Sequence, residues 1–188
     1  MTTASNQPKP ASESTVLANS AAQSRYNFED TADFDRARRG LLQQIESGAI
    51  NSELGVPVWD PSQYEFVSGD SPDSVNPSLW RQAALNNIHG LFEVVPGIYQ
   101  VRGYDISNIS FIRSDTGWIV IDPLTVAETA AAARGLIDSH FGPLPIVAVI
   151  YTHSHADHYG GIRGIVTDEE IESGQIRIID PRDFLRQL

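Results

Sequence analysis

Hydrophobic and polar positions fall into distinct textures along the chain. Residues 1 to about 27 are mostly Ser, Ala, Thr, Asn and Pro. They offer too little apolar area to offset the entropy of ordering, which predicts a disordered arm. From Thr31 onward, Phe34, Ala37, Leu41, Leu42 and Ile45 recur at helical spacing, with Asp33 placed to cap and Gly48 to stop. The spacing predicts an amphipathic helix packed outside the main domain. Residues 51–77 carry prolines at 57, 61, 72 and 77 and the run Ser-Gly-Asp-Ser-Pro-Asp, marks of a long surface loop. A short helix over about Ser78 to Asn87 follows.

After Gly90 the period becomes that of β-strands. Leu91 to Val95 and Ile98 to Val101 flank the turn Pro96-Gly97 as a hairpin. Ser107 to Ile112 and Gly117 to Ile121 form a second pair about Ser114-Asp115-Thr116-Gly117, and Asp122-Pro123 closes it. An Ala-rich helix is predicted over 125–141, stopped by Gly142-Pro143, and the apolar run Ile146 to Tyr151 has the length of a buried strand. A helical turn at 168–173, a strand at 176–179 and the start of a helix at 181–188 complete the pattern. Hairpins first and helix–strand alternation later predict an α/β layered domain. The organisation expected is an arm over 1–27, a helical and loop extension over 28–90, and a catalytic domain beginning at 91.

Composition narrows the functions available. The chain has 188 residues, a net charge of −11 and no cysteine. An acidic surface repels phosphate backbones, which argues against nucleic acid as a partner. Without thiolates, any metal must be held by imidazole and carboxylate. No run approaches the roughly 18 apolar residues of a membrane span. The N-terminus lacks both the positive start and the apolar core of a signal peptide, so a cytoplasmic chain is expected.

The chemistry is concentrated in Thr152-His153-Ser154-His155-Ala156-Asp157-His158. Side chains two apart on an extended segment point the same way, so His153 and His155 face one side after the 146–151 strand. Asp157 and His158 follow where the chain turns, and Gly160 and Gly161 let the backbone pass close to its neighbours. Four donors on so short a stretch cannot all converge on one tetrahedral ion. They can serve two, with the His pair on one and Asp157 plus His158 on the other, at the 3.5–4 Å or so typical of two-metal sites. Such donors suit Zn²⁺, and Mn²⁺ or Fe²⁺ would also fit. With 5 His and 14 Asp in the chain, His-x-His-x-Asp-His arises by chance in on the order of 3 in 10,000 such sequences.

This motif is the signature of the metallo-β-lactamase superfamily, which the chain resembles. The resemblance implies an αββα sandwich with the motif after a strand, here present only in part. It also implies an aspartate ending an earlier strand and bracing the metal loop, a place that Asp122 matches; a plain turn residue before Pro123 is the alternative. Asn76 to Gln82, Asn87 to Val94, Gly97 to Gly103 and Tyr151 to Gly161 further resemble the alkyl-sulfatases that degrade dodecyl sulfate-type detergents, over roughly residues 33–188. The family's complete members are longer. They finish a two-zinc site with two glutamates and a histidine from later in the chain, and add a helical dimerisation domain and a lipid-binding-like domain. The chain is therefore expected to be an N-terminal portion, with a homodimer expected only for the full-length form.

The function implied is zinc-dependent hydrolysis of alkyl sulfate esters to alcohol and sulfate. A lactonase or thioesterase of the same superfamily and a non-catalytic fragment are the alternatives. His89 and His140 read as structural, and Trp59, Trp80 and Trp118 as packing residues. Asp168-Glu169-Glu170 reads as a helix start. Arg102, Tyr104 and Asp105 lie on a loop able to reach a cleft, but spacing alone does not place them.

Overall fold

The computed structural model describes residues 9–44 and 48–186. It divides into two compact units, Met1–Ala37 with Phe66–Asn86, and Arg38–Glu65 with Asn87–Leu188. No helix among the described residues is long and apolar enough to cross a membrane.

The smaller unit is helical, and it corrects the expected disordered arm. Residues Glu13–Arg25 form a helix, α1, whose N-cap Ser12 accepts a hydrogen bond from Thr15 N. The Asn19 side chain donates to Asp73 O at 2.7 Å, so this segment is tied to the chain 54 residues on. Composition misleads here because Ala, Glu, Gln and Leu inside the run are good helix formers once a cap is in place. The second helix, α2 (Ala32–Arg38), is started by Asp30, whose Oδ1 accepts from Ala32 N, rather than by Asp33. The third, α3, spans Pro77–Asn86. Arg81 donates to Asp30 O and Asp33 Oδ2 and lies over the Phe34 ring, joining α3 to α2.

The predicted helix from Thr31 to Gly48 ends ten residues early. Gly40 turns the chain at φ +79, where a Cβ would stand 2.2 Å from Glu93 O. Leu41–Gln43 then becomes strand β1, pairing with Leu91 and Phe92. Ile45 lies outside the described residues. The expected loop over 51–77 also holds more order than its prolines suggest. Ile50–Asn51 (β2) and Pro57–Trp59 (β3) pair as a small hairpin, followed by a 3₁₀ turn at Pro61–Tyr64.

The larger unit is built on a seven-stranded sheet. Its further strands are β4 (Gly90–Val95), β5 (Ile98–Arg102), β6 (Ile109–Arg113), β7 (Trp118–Ile121), β8 (Ile146–Ile150) and β9 (Arg177–Ile179). The order is β1-β4-β5-β6-β7-β8-β9, antiparallel through β7 and parallel from β7 to β9. The parallel β7–β8 pair is joined by helix α4 (Ala127–Phe141). Buried Ala130, Ala133 and Ile137 recur at helical spacing along α4 and belong to the main core cluster. That cluster is centred on Trp118, fully buried and in edge contact with Tyr99, Phe111 and Phe141.

The other side of the sheet is apolar as well. In-register pairing aligns Ile98, Ile112 and Ile119 in one row, and Ile121, Ile150 and Ile179 in the next. All but Ile179 are half-buried, and Ile179 is 41% exposed. This is a sandwich half, in agreement with the partial α/β layered fold expected. The capping box of Thr167 and Glu170 opens the last helix, α5 (Asp168–Glu172), where the acidic run is expected. Of the final predicted helix, Phe184–Arg186 form a 3₁₀ turn, and the last two residues lie outside the described ones.

Candidate metal centre

The site lies beyond the C-terminal ends of the parallel strands β7 and β8, where α/β sheets commonly bind ligands. Strand β7 delivers Asp122 and β8 delivers the histidine loop. Asp122 N donates to Ile150 O at 3.0 Å, holding the two strand ends together. The turn after β7 has an unusual backbone: Asp122 and Leu124 have φ of +55 and +65. Leu124 N donates to Asp122 O at 2.9 Å. Positive φ is uncommon for leucine, and such conformations persist where surrounding packing fixes them. Leu124 is fully buried.

The Asp122 carboxylate is buried and accepts from three donors of the histidine loop. Thr152 N reaches Oδ1 at 2.8 Å, Thr152 Oγ1 reaches Oδ2 at 2.6 Å, and His158 Nδ1 lies 2.9 Å from Oδ2. Asp122 is thus both the residue that ends β7 and a brace on the loop.

Around this anchor the predicted donors form two pairs. His153 Nε2 and His155 Nδ1 are 3.1 Å apart, and His158 Nε2 and Asp157 Oδ2 are 3.2 Å apart. The His153 ring lies 4.1 Å from that of His158, centroid to centroid. No group of three or more His, Cys, Asp or Glu among the described residues is arranged to hold a metal ion. The pairs nonetheless suit a cation. Ligands of one tetrahedral zinc, bonded at about 2.1 Å, lie about 3.4 Å from each other, close to both observed separations. A carboxylate only accepts, so Asp122 assigns the proton of neutral His158 to Nδ1 and leaves the Nε2 lone pair facing Asp157 Oδ2. A cation between them relieves that opposition.

The loop is seated by close backbone contact. A Cβ on Gly160 would stand 2.3 Å from Thr125 O, and one on Gly161 2.2 Å from Pro123 O. Gly161 N donates to Leu124 O at 2.9 Å. Beneath it, Tyr151 stacks on Phe184, and burial with the nearby Asp180 charge pushes its hydroxyl up to about 12. Of the loop left unplaced by spacing, Asp105 comes to this site. Its carboxylate accepts from Thr125 and Thr129, and Ser107 donates to the Asp157 carbonyl. Ser107 precedes β6 rather than belonging to it.

Away from the centre, Trp59 Nε1 donates to Gly103 O, and Arg102 lies over Phe92 while donating to Gln100. His89 is half-buried, its Nδ1 without a hydrogen-bond partner, and exposed His140 packs edge-on to Phe141 in the last turn of α4.

A family model described as the Metallo-beta-lactamase superfamily matches residues 102–173, from the end of β5 through the histidine loop to α5. The mixed sheet and its partial sandwich are the fold of that superfamily, which generally binds zinc. The chain also matches alkylsulfatases. It is 47% identical over 179 residues to a linear primary-alkylsulfatase of Pseudomonas sp., covering 94% of this chain and 27% of that protein. It is 42% identical over 181 residues to an alkyl/aryl-sulfatase of Saccharomyces cerevisiae, covering 96% and 28%. The solved structure of the stereoselective inverting sec-alkylsulfatase Pisa1 from Pseudomonas sp. superposes with a TM-score of 0.91 at 46% identity, covering 97% of this chain and 29% of that one. The chain spans between a quarter and a third of the length of these relatives.

Proposed function

We propose that this chain contributes the first metal-binding loop of a zinc-dependent hydrolase of alkyl sulfate esters. The observation that carries the reading is the likeness to alkylsulfatases, which runs across nearly the whole chain and includes the loop with the paired donors. In this reading His153 and His155 hold one ion and Asp157 and His158 the other, with Asp122 orienting His158 and Thr152. When bound, zinc supplies Lewis acidity toward sulfate oxygens and lowers the pKa of water toward about 7. The chain's own residues present imidazole and carboxylate, with His158 oriented through Nδ1 by Asp122, and seat the loop against the β7 turn. The ester enters beyond the ends of β7 and β8.

Two protein donors per ion fall short of the three or so that catalytic zinc uses. The isolated 188-residue chain is therefore expected to release no sulfate from a dodecyl-type ester, even with added zinc. A longer protein containing it is expected to turn the ester over in a chelator-sensitive manner and to lose activity on His153→Ala or Asp157→Ala. A panel of alkyl sulfate, lactone and thioester substrates tests the substrate class. Turnover of the last two without the first would move the assignment to another hydrolase of the superfamily.

A further inference from the structure

Among the described residues, the buried polar or charged side chains are Asp105, Ser107, Asp122 and Thr129. Asp122 and Ser107 bond to the histidine loop directly, while Asp105 and Thr129 bond to each other beside it. Asp122 has its role there, but the hydrolase reading gives none to Asp105 or Ser107, which sit on the β5–β6 loop.

The Asp105 carboxylate is fully used. Oδ1 accepts from Ile106 N at 2.7 Å and Thr125 Oγ1 at 2.7 Å. Oδ2 accepts from Thr125 N at 3.0 Å and Thr129 Oγ1 at 2.8 Å. Burying a carboxylate is costly unless its acceptor positions are filled, and these four donors fill them. The β5–β6 loop is thereby locked to the turn after β7 and to the first turn of α4. Two residues on, Ser107 Oγ donates to the Asp157 carbonyl. One end of a six-residue loop grips the β7 side of the site and the other end grips the backbone of a proposed ligand.

We propose that Asp105 and Ser107 form a second brace for the metal loop, built separately from Asp122. Asp105 makes the β5–β6 loop a fixed platform, and from it Ser107 holds the Asp157 backbone. That sets where the Asp157 carboxylate stands against His158 Nε2. Both are positioning residues, since neither belongs to the donor pairs. Asp122 governs Thr152 and His158 from one side, and Ser107 governs Asp157 from the other. The proposal rests on the reading of Asp157 and His158 as ligands.

Amide hydrogen exchange on the metal-free chain, followed by zinc titration against a chromophoric chelator, tests it with Ser107→Ala, Ser107→Thr and Asp105→Asn. Ser107→Ala and Asp105→Asn are expected to speed exchange at His158, Gly160 and Gly161 by about tenfold or more, while amides of β6 and β7 keep their rates. Zinc affinity is expected to fall about 10–100-fold. Ser107→Thr, which keeps the hydroxyl, should hold both near the wild-type values. Unchanged loop exchange in Ser107→Ala and Asp105→Asn overturns the brace, as does acceleration spread evenly over the sheet. Exchange is read without metal. A chain that took up no zinc would therefore remove the ligand reading, leaving the brace to be judged by exchange alone.

Discussion

Asp122 Oδ2 lies 2.9 Å from His158 Nδ1, joining residues 36 apart in sequence through one carboxylate oxygen that also accepts from Thr152 Oγ1. The contact fixes the ring orientation of His158 and points its second nitrogen at Asp157. An imidazole left to rotate would present either nitrogen, and outer partners of this kind tune ligand basicity as well as direction. The first prediction follows. Asp122→Asn keeps the shape but replaces one acceptor oxygen with an NH₂ group, so that either the Thr152 N–H on Oδ1 or the Thr152 Oγ1 and His158 Nδ1 donors on Oδ2 lose their acceptor. Zinc affinity should drop about 10–100-fold, and stability should fall by about 1–3 kcal/mol from the unpaired buried groups. Chelator competition and denaturant melts measure the two separately, and an unchanged affinity would show that the contact does not orient a ligand.

The glycines of the loop and of α4 make opposite predictions. A methyl at Gly161 meets the Pro123 carbonyl oxygen at 2.2 Å, with Val126 O at 2.7 Å. Gly161→Ala should therefore cost at least about 1–3 kcal/mol by overpacking. Gly135 lies inside α4 with nothing within 4 Å of an added Cβ. Gly135→Ala should instead stabilise the protein by about 0.5–1 kcal/mol. Urea midpoints at constant m-value decide both signs.

His89 predicts a dependence on pH. Burial pushes its imidazole below the ordinary histidine range, although the Glu65 charge works in the other direction. The folded protein thus favours the neutral ring, while the unfolded chain takes up its proton near a pH of about 6.5. The stabilising contribution is whole above that value and is lost as pH falls toward the lower folded value. Wild-type protein should lose more melting temperature between neutral pH and pH 5 than His89→Gln does. Parallel losses would show that the ring is solvated in the folded state.

Helix α1 predicts protection where composition argues for none. Ser12→Ala removes the cap bond to Thr15 N and should weaken α1 by about 0.5–2 kcal/mol. Trypsin cleavage after Arg25 should speed up in the variant, and equal rates would restore the disordered arm expected from composition.

The β4–β8 framework and the histidine loop were legible because each rests on local signals. The Pro96-Gly97 turn, the alternation through Ile98–Arg102 and the bounded apolar run before Tyr151 each pointed to one element. Residues 31–48 misled because Leu41 and Leu42 fit a helical period equally well. Only the turn at Gly40 and the partner strand β4 make Leu41–Gln43 extended. Asp105 and Ser107 gave no local sign of their role. An Asp and a Ser in a short polar loop look like turn chemistry until the fold brings Thr125 and Asp157 beside them. The positive φ of Leu124 was equally invisible, since it is imposed by packing rather than preferred by the residue.

The span between Ser107 and Asp157 is 50 residues, and that between Asp122 and Thr152 is 30. Contacts so distant form only after the intervening chain has closed its loops, the slow part of folding for mixed sheets. In a zinc finger the ion nucleates order in an unfolded peptide. Here the order of events is reversed: the β5–β6 loop, β7 and β8 must dock before Asp122 and Ser107 can brace the histidine loop. Metal capture is therefore expected to trail collapse, so that a half-folded chain in the cell competes poorly for scarce zinc.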